Sequence, residues 1–310
     1  MGWRLERKWF LMYLRSVMES PRLAGCTKEL ILRETGGKDL LADKAEVAAT
    51  YKRLAGHIGV DTCLFPFNFA ELEPDTRPAG LPGLLLLAIP LLPNLTALSV
   101  ETGPNHTRPF ELLEKLHASG VIEPFWRVQD LTIEFPGHWE GGVTDLTRLA
   151  PLLALTPALT TLRLRACPGF AHMADEDYVD AARRRMPPGL TALEVRDSYF
   201  NDETVGGLLG CCPSSGLARF TYQSVQWTLP SATAGREVTP RQLVRRLLAH
   251  SPNTLREVEL DYSRPGRQEY DHGDGAEYEK KLTRADFAGF PALRTMVHLT
   301  KEDWVQPDDW

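Results

Sequence analysis

Apolar and polar positions alternate in short segments that recur along the chain. Each segment has apolar residues at its first, fourth and sixth positions. Six copies are complete: Leu95/Leu98/Val100, Val128/Leu131/Ile133, Leu159/Leu162/Leu164, Leu190/Leu193/Val195, Leu217/Phe220/Tyr222 and Leu255/Val258/Leu260. Because the fourth and sixth positions fall on one face of an extended chain, each copy predicts a short strand with one buried face.

Weaker copies flank this series. The early one, Thr27/Leu30/Leu32, has a polar first position, and the late one, Leu293/Met296/His298, has a polar last position. The middle residues of successive copies from Leu98 onward are 27 to 38 residues apart, whereas Leu30 and Leu98 are 68 apart. This double step predicts one more unit between them, with a degenerate strand near Val60 to Phe65.

The segments between the strands carry apolar residues at helical spacing. They predict helices over Leu81–Leu92, Phe110–Leu116, Leu146–Leu155, Tyr178–Met186, Glu203–Leu209 and Gln242–His250. Thr144, Asn201 and Thr239 stand where helix-capping residues are expected, and Pro240 follows the last of them. Strands joined by helices in this way run parallel, since each must return through a crossover.

The predicted fold class is α/β, a solenoid of about eight irregular repeats. Its curved parallel sheet would form the concave face and its helices the convex face. The strands of a doubly wound sheet, the alternative, would be nearly continuous apolar runs, but these strands alternate with charged residues. We expect a single domain over residues 1–310: irregular N-terminal repeats over 1–94, core repeats over 95–262, and a long loop with a C-terminal capping repeat over 263–310.

Composition narrows the expected partners and compartment. The 310 residues carry a formal net charge of −6, which disfavours nucleic acid as a partner. The five cysteines show no CxxC spacing, and the opening stretch has neither a secretory apolar run nor a membrane span. We therefore expect an intracellular protein, cytoplasmic or nuclear, with no membrane partner.

Three segments resemble a known family. They are Tyr13 to Leu32, with its helix, Pro21-Arg-Leu-Ala and first strand; Leu91-Leu-Pro-Asn-Leu-Thr-Ala-Leu; and Phe290-Pro-Ala-Leu-Arg-Thr-Met. They resemble leucine-rich-repeat proteins with ribonuclease-inhibitor-like or F-box-type repeats, in particular the fungal F-box/leucine-rich-repeat-like proteins. The resemblance covers nearly the whole chain.

The resemblance implies a function in ubiquitination. Such proteins are non-catalytic substrate-recognition adaptors of SCF-type ubiquitin ligases, in which an F-box holds the Skp adaptor and, through it, the cullin. No Leu-Pro-containing F-box module is recognisable ahead of Tyr13. The alternative is therefore a leucine-rich-repeat scaffold without an F-box, unrelated to ubiquitination.

Charged residues on the predicted concave face are the candidate partner-binding residues. They are Arg163, Arg165, Glu194, Arg196, Arg219, Glu257, Glu259 and Asp261. Strand alignment predicts Arg163 beside Glu194, and Arg165 between Glu134 and Arg196. In one interpretation the glutamates only neutralise the arginines as exposed ion pairs. In the other, the arginines bind a carboxylate or phosphate of a protein partner, and the acidic residues receive a basic peptide.

Aromatic residues in the loops after the strands are a second set of candidates. Trp139, Phe170, Tyr199, Phe200 and Trp227 are predicted either to anchor a partner or to pack against the rim of the sheet.

Motifs of catalysis and of metal binding are missing from the sequence. Asp271, His272 and Asp274 match neither a calcium loop nor a zinc site, so we expect no metal and no cofactor. The sequence contains no nucleophile elbow, Walker loop or HExxH pair. An enzyme using His272 or Cys211 is the remaining alternative to a non-enzymatic scaffold.

Overall fold

The computed structural model describes residues 7–32, 44–59, 88–101, 108–135, 145–213, 216–224, 237–263 and 282–299. The chain divides into two compact units, residues 1–131 with 148–159 (unit 1) and residues 132–147 with 160–310 (unit 2). Eight strands alternate with helices and form one parallel sheet in chain order. The α/β class agrees with the sequence prediction, whereas the single domain and the curvature stay predictions.

The strands coincide with the apolar repeat. They are β1 (Glu29–Leu32), β2 (Ala97–Glu101), β3 (Asp130–Glu134), β4 (Thr161–Arg165), β5 (Ala192–Ser198), β6 (Arg219–Ser224), β7 (Glu257–Asp261) and β8 (Thr295–Leu299). In β4 the leucines at the fourth and sixth repeat positions, Leu162 and Leu164, are buried, and the residues between them are partly exposed. The period-2 prediction of one buried face is confirmed.

The helices of the two units are α1 (Arg7–Glu19), α2 (Pro21–Cys26), α3 (Lys44–Ile58), α4 (Arg108–Ala118), α5 (Ala150–Ala154), α6 (Glu176–Arg183), α7 (Asp202–Cys211) and α8 (Pro240–His250). Short 3-10 turns cover Ile89–Leu91, Leu146–Arg148 and Arg284–Phe287. Asn201 caps α7, and Thr239 caps α8 in a reciprocal pair with Gln242, as their positions predicted. In the described part, no helix is both long and apolar enough to cross a membrane.

Unit 1 corrects the prediction of an extra repeat near its start. β1 pairs directly with β2, with Leu30 opposite Leu98. Two hydrogen-bonded neighbours leave no place for a strand between them, so the additional strand is wrong as a member of this sheet. Residues 33–43 and 60–87, which include Val60 to Phe65, lie outside the described residues.

An aromatic row lies buried inside unit 2, partly within its strands and partly in the segments after them. Ring centroids are 5.7 Å apart for Phe170 and Phe200, 6.5 Å for Phe200 and Tyr222, 5.5 Å for Tyr222 and Tyr262, and 6.2 Å for Tyr262 and His298. Phe170 and Phe200 are only 3% and 1% exposed. The rings of these two phenylalanines pack inside unit 2, which favours the alternative of packing against the sheet over that of anchoring a partner.

Candidate functional site

In unit 2 the sheet presents a row of charged side chains on the face away from its leucines. We call this surface the polar face. It carries Arg163 and Arg165 of β4, Glu194 and Arg196 of β5, Arg219, Thr221 and Gln223 of β6, and Glu257, Glu259 and Asp261 of β7. Strand register sets these residues side by side, since paired residues of parallel neighbours point to the same face.

Glu194 lies between two arginines. Its Oε2 is 3.3 Å from Nε of Arg163 and 3.5 Å from Nε of Arg196. The predicted neighbours Arg163 and Glu194 are opposite each other in the register. Glu194 is buried, whereas the two arginine side chains are about a third exposed. The carboxylate therefore neutralises part of the positive charge, as the first interpretation of the sequence expected.

Arg165 and Arg196 are directly opposite each other, as predicted. The Nη2 atom of Arg165 is 3.9 Å from Oδ2 of Asp197, and Nη2 of Arg196 is 3.9 Å from Oε2 of Glu259. These contacts are longer than charge-assisted hydrogen bonds, which are about 2.7–2.9 Å. Within the described residues neither guanidinium donates a hydrogen bond, so this like-charged pair keeps donors that no protein group accepts.

Asp197 belongs to this surface but does not follow the repeat pattern. It has φ +53°, and Ala166, which follows Arg165, has φ +52°. The Oγ atom of Ser198 holds the bend, because it accepts a hydrogen bond from the Cys167 amide at 3.0 Å and donates one to the Arg196 carbonyl at 2.8 Å. The sequence signal for this bend was the aspartate itself, because aspartate adopts the left-handed region of backbone conformation more readily than most residues.

The arginine and acidic residues of β6 and β7 are more firmly paired. Nε of Arg219 donates to Oε2 of Glu257 at 2.6 Å, and this hydrogen bond is the largest cause that raises the pKa of Arg219. The hydroxyl of Thr221 donates to Oε2 of Glu259 at 3.5 Å. These residues are partnered within the surface itself.

Asp261 departs from the prediction. It is buried and accepts hydrogen bonds from the Gln223 amide at 2.8 Å and from the backbone N–H and hydroxyl of Ser263 at 3.0 and 2.6 Å. The carboxylate of Asp261 is thus partnered inside the fold, which disfavours both a solvated Asp261 and its binding of a basic peptide.

The remaining candidates fall into three groups. Tyr199 is partly exposed and stays a candidate contact residue. Trp139, Trp227, Asp271, His272 and Asp274 lie outside the described residues. Among the residues that the structure describes, no cluster of histidine, cysteine and acidic side chains could hold a metal ion.

Cys211 is a poor nucleophile. It is buried, and burial raises the pKa of its thiol to about 12, more than the nearby Arg183 guanidinium lowers it. Burial likewise raises the pKa of Cys212 to about 12. Both side chains are thiols rather than thiolates at neutral pH, and the thiolate is the reactive form.

Comparison with known proteins adds no family assignment. No protein-family model matches the chain, and no curated protein matches it. The repeat type and the ubiquitin-ligase relationship therefore rest on the sequence patterns described above.

Proposed function

We propose that this chain is a leucine-rich-repeat scaffold that binds a protein partner on the polar face of unit 2. The observation that carries the proposal is the arginine pair Arg165 and Arg196. Two like charges stand in register on neighbouring strands, with side chains 42% and 37% exposed and without hydrogen bonds to described residues. Like charges placed side by side on a sheet cost stability, so an arrangement that keeps them is suited to a ligand of opposite charge.

The chemistry of the pair defines the group it would bind. A guanidinium presents a planar fork of donors that matches the two oxygens of a carboxylate or the oxygens of a phosphate. Registered residues on neighbouring strands are about 4.8 Å apart at the backbone, so one such group can bridge Arg165 and Arg196. The partner would therefore insert an acidic or phosphorylated side chain between them.

Neighbouring carboxylates would make this binding selective. Glu194 and Asp197 lie at the sides of the pair, and Glu259 reaches Arg196 from two strands away. A partner group that approaches off-centre meets these negative charges and is repelled. Rejection of misplaced ligands by like charge is a common source of specificity in protein interfaces.

A more specific proposal rests on the sequence resemblance alone. The scaffold would be the substrate-recognition arm of an SCF-type ubiquitin ligase, with Skp and cullin subunits as further partners if an F-box exists upstream in the gene. The alternative is a scaffold without ubiquitin-ligase partners. The four described cysteines are free thiols, which supports the proposal of a reducing compartment, cytoplasm or nucleus.

Affinity purification tests both the polar face as a binding surface and the ubiquitin-ligase role. Three baits are compared for the binding surface. The baits are the wild-type chain, the polar-face variant Arg165→Glu/Arg196→Glu and a control variant, Arg22→Glu/Lys52→Glu. The control has the same change in net charge, but its two exposed residues lie on α2 and α3 of unit 1. Bound proteins are quantified by mass spectrometry, and thermal unfolding checks that all three baits are folded.

We expect a protein that the wild type and the control retain and the polar-face variant loses. Recovery of the same proteins by all three baits would contradict the polar face as the binding surface. Skp and cullin subunits retained by a further bait, made from the full gene product, would support the ligase proposal, because an F-box upstream in the gene would bind Skp. Their absence from a bait made from the full gene product would reject it.

A further inference from the structure

A second arginine pair lies where strands β7 and β8 begin. The backbone N–H of Arg294 donates to the carbonyl of Arg256 at 2.8 Å, and Thr295 donates to the same carbonyl at 3.0 Å. Glu257 and Thr295 are paired in the register, so the residues before them are aligned as well. Arg256 and Arg294 therefore project to the same side of the sheet, about 4.8 Å apart at the backbone.

This second pair is not neutralised by any group in the described residues. Arg256 and Arg294 are both exposed, and neither guanidinium makes an ion pair or hydrogen bond with a described residue. The nearest carboxylate in sequence, Glu257, is taken by Arg219 at 2.6 Å. By contrast, Arg246 on α8 donates two hydrogen bonds to the carboxylate of Asp202. Arg256 and Arg294 have no such partner among the described residues.

The elements around the pair add positive rather than negative charge. Arg245 on α8, the helix that leads into β7, is also exposed and makes no ion pair with a described residue. The carboxylates on the neighbouring helices that could reduce this charge are already paired: Asp180 of α6 with Arg183, and Asp202 of α7 with Arg246. The exposed Arg256 and Arg294 therefore keep a local positive charge.

An apolar side chain is exposed at the same edge. Leu248 on α8 is exposed and packs against Gly289, in the turn that leads into β8. A Cβ atom at Gly289 would lie 2.5 Å from Cδ1 of Leu248, which shows how closely the leucine covers this turn. Arginine together with an exposed apolar residue is the combination that protein interfaces favour.

We propose that Arg256 and Arg294 form a second docking surface, which binds an acidic segment of a protein partner. It is separate from the polar face, because Arg165 and Arg196 lie near the ends of β4 and β5, whereas Arg256 and Arg294 precede the starts of β7 and β8. A protein segment fits better than nucleic acid. The net charge of −6 repels a long polyanion, whereas a short acidic segment meets only the local positive charge.

Fluorescence anisotropy tests this surface directly. The probe is a short fluorescein-labelled peptide of alternating glutamate and leucine, and a labelled oligo-dT strand is the nucleic-acid comparison. Four proteins are titrated at low salt: wild type, Arg256→Glu/Arg294→Glu, Arg165→Glu/Arg196→Glu and Arg22→Glu/Lys52→Glu. The three variants have the same net charge, so long-range electrostatics are matched among them. Thermal unfolding verifies that each is folded.

We expect the wild type to bind the acidic peptide with a salt-dependent affinity, and the Arg256/Arg294 variant to bind it about tenfold more weakly. The Arg165/Arg196 variant should lose less affinity, because the polar face binds a single inserted carboxylate, and the Arg22/Lys52 control should lose least. Three results would overturn the inference: no binding by the wild type, equal losses in all three variants, or an equal or larger loss in the Arg165/Arg196 variant. Tighter binding of oligo-dT than of the peptide, lost on changing Arg256 and Arg294, would replace the acidic segment with nucleic acid.

Discussion

The substitution Glu194→Gln isolates the charge at the centre of the polar face. Glutamine keeps the shape of the side chain and removes its negative charge. One carboxylate oxygen of Glu194 is 3.3 Å from Arg163 and 3.5 Å from Arg196. Without the charge, these two guanidiniums and Arg165 remain as neighbouring positive charges with less compensation.

The expected cost follows from distance and exposure. Two unit charges about 4 Å apart attract by about 4 kcal/mol at an effective dielectric constant near 20. The arginine side chains are 34% and 37% exposed, so solvent screening and side-chain entropy reduce each pair to about 1 kcal/mol or less. Because Glu194 itself is buried and serves both pairs, we expect Glu194→Gln to lower the free energy of unfolding by about 1–2 kcal/mol.

Urea unfolding followed by far-ultraviolet circular dichroism measures this loss at low salt and in 1 M salt. The screening length at 1 M is about 3 Å, so the difference between wild type and variant should shrink there. Glu257→Gln is the matched control, because both side chains of its pair with Arg219 are about half exposed. It should cost less than about 1 kcal/mol. A Glu194→Gln loss no larger than that of Glu257→Gln, or one unchanged by salt, would refute the reasoning.

Other substitutions and labels test the rest of the structure. Phe200→Ala should lower the free energy of unfolding by about 3–5 kcal/mol because the ring is buried, whereas Tyr199→Ala should cost under about 1 kcal/mol; urea unfolding compares them. Tyr222→Phe should cost about 1–3 kcal/mol, since its hydroxyl donates to a buried carboxylate at 2.9 Å, and the same assay applies. Iodoacetamide at pH 8 should label exposed Cys26 in the folded chain and Cys211 only in urea, because burial raises the pKa of Cys211 to about 12; peptide mass spectrometry reads this out.

The repeat made the strands of unit 2 predictable in detail. Leu162 and Leu193 are 31 residues apart and occupy the same position of the pattern, so Arg163 and Glu194 had to be neighbours. The pattern works because burial of one strand face recurs in every unit. Helix caps were predictable too, because capping residue types precede the helical segments. The side chain of Asn201 accepts a hydrogen bond from the first turn of α7.

The regions between the strands were harder to predict. Nothing local distinguishes the buried Phe200 from the partly exposed Tyr199 before it, because their burial depends on Phe170 and Tyr222 of neighbouring units. Spacing alone also could not show that β1 and β2, on either side of the long step, pair directly. The left-handed bend at Asp197 interrupts the alternation that the prediction relied on.

Photo-crosslinking tests most directly whether the polar face is where a partner binds. A benzophenone side chain placed at Thr161, on the polar face beside the arginines, is compared with one at Ala181, exposed on α6. The account predicts a crosslinked partner from Thr161 that disappears when Arg165 and Arg196 are changed to glutamate, and none from Ala181. A partner crosslinked from Ala181 and not from Thr161 would contradict the account.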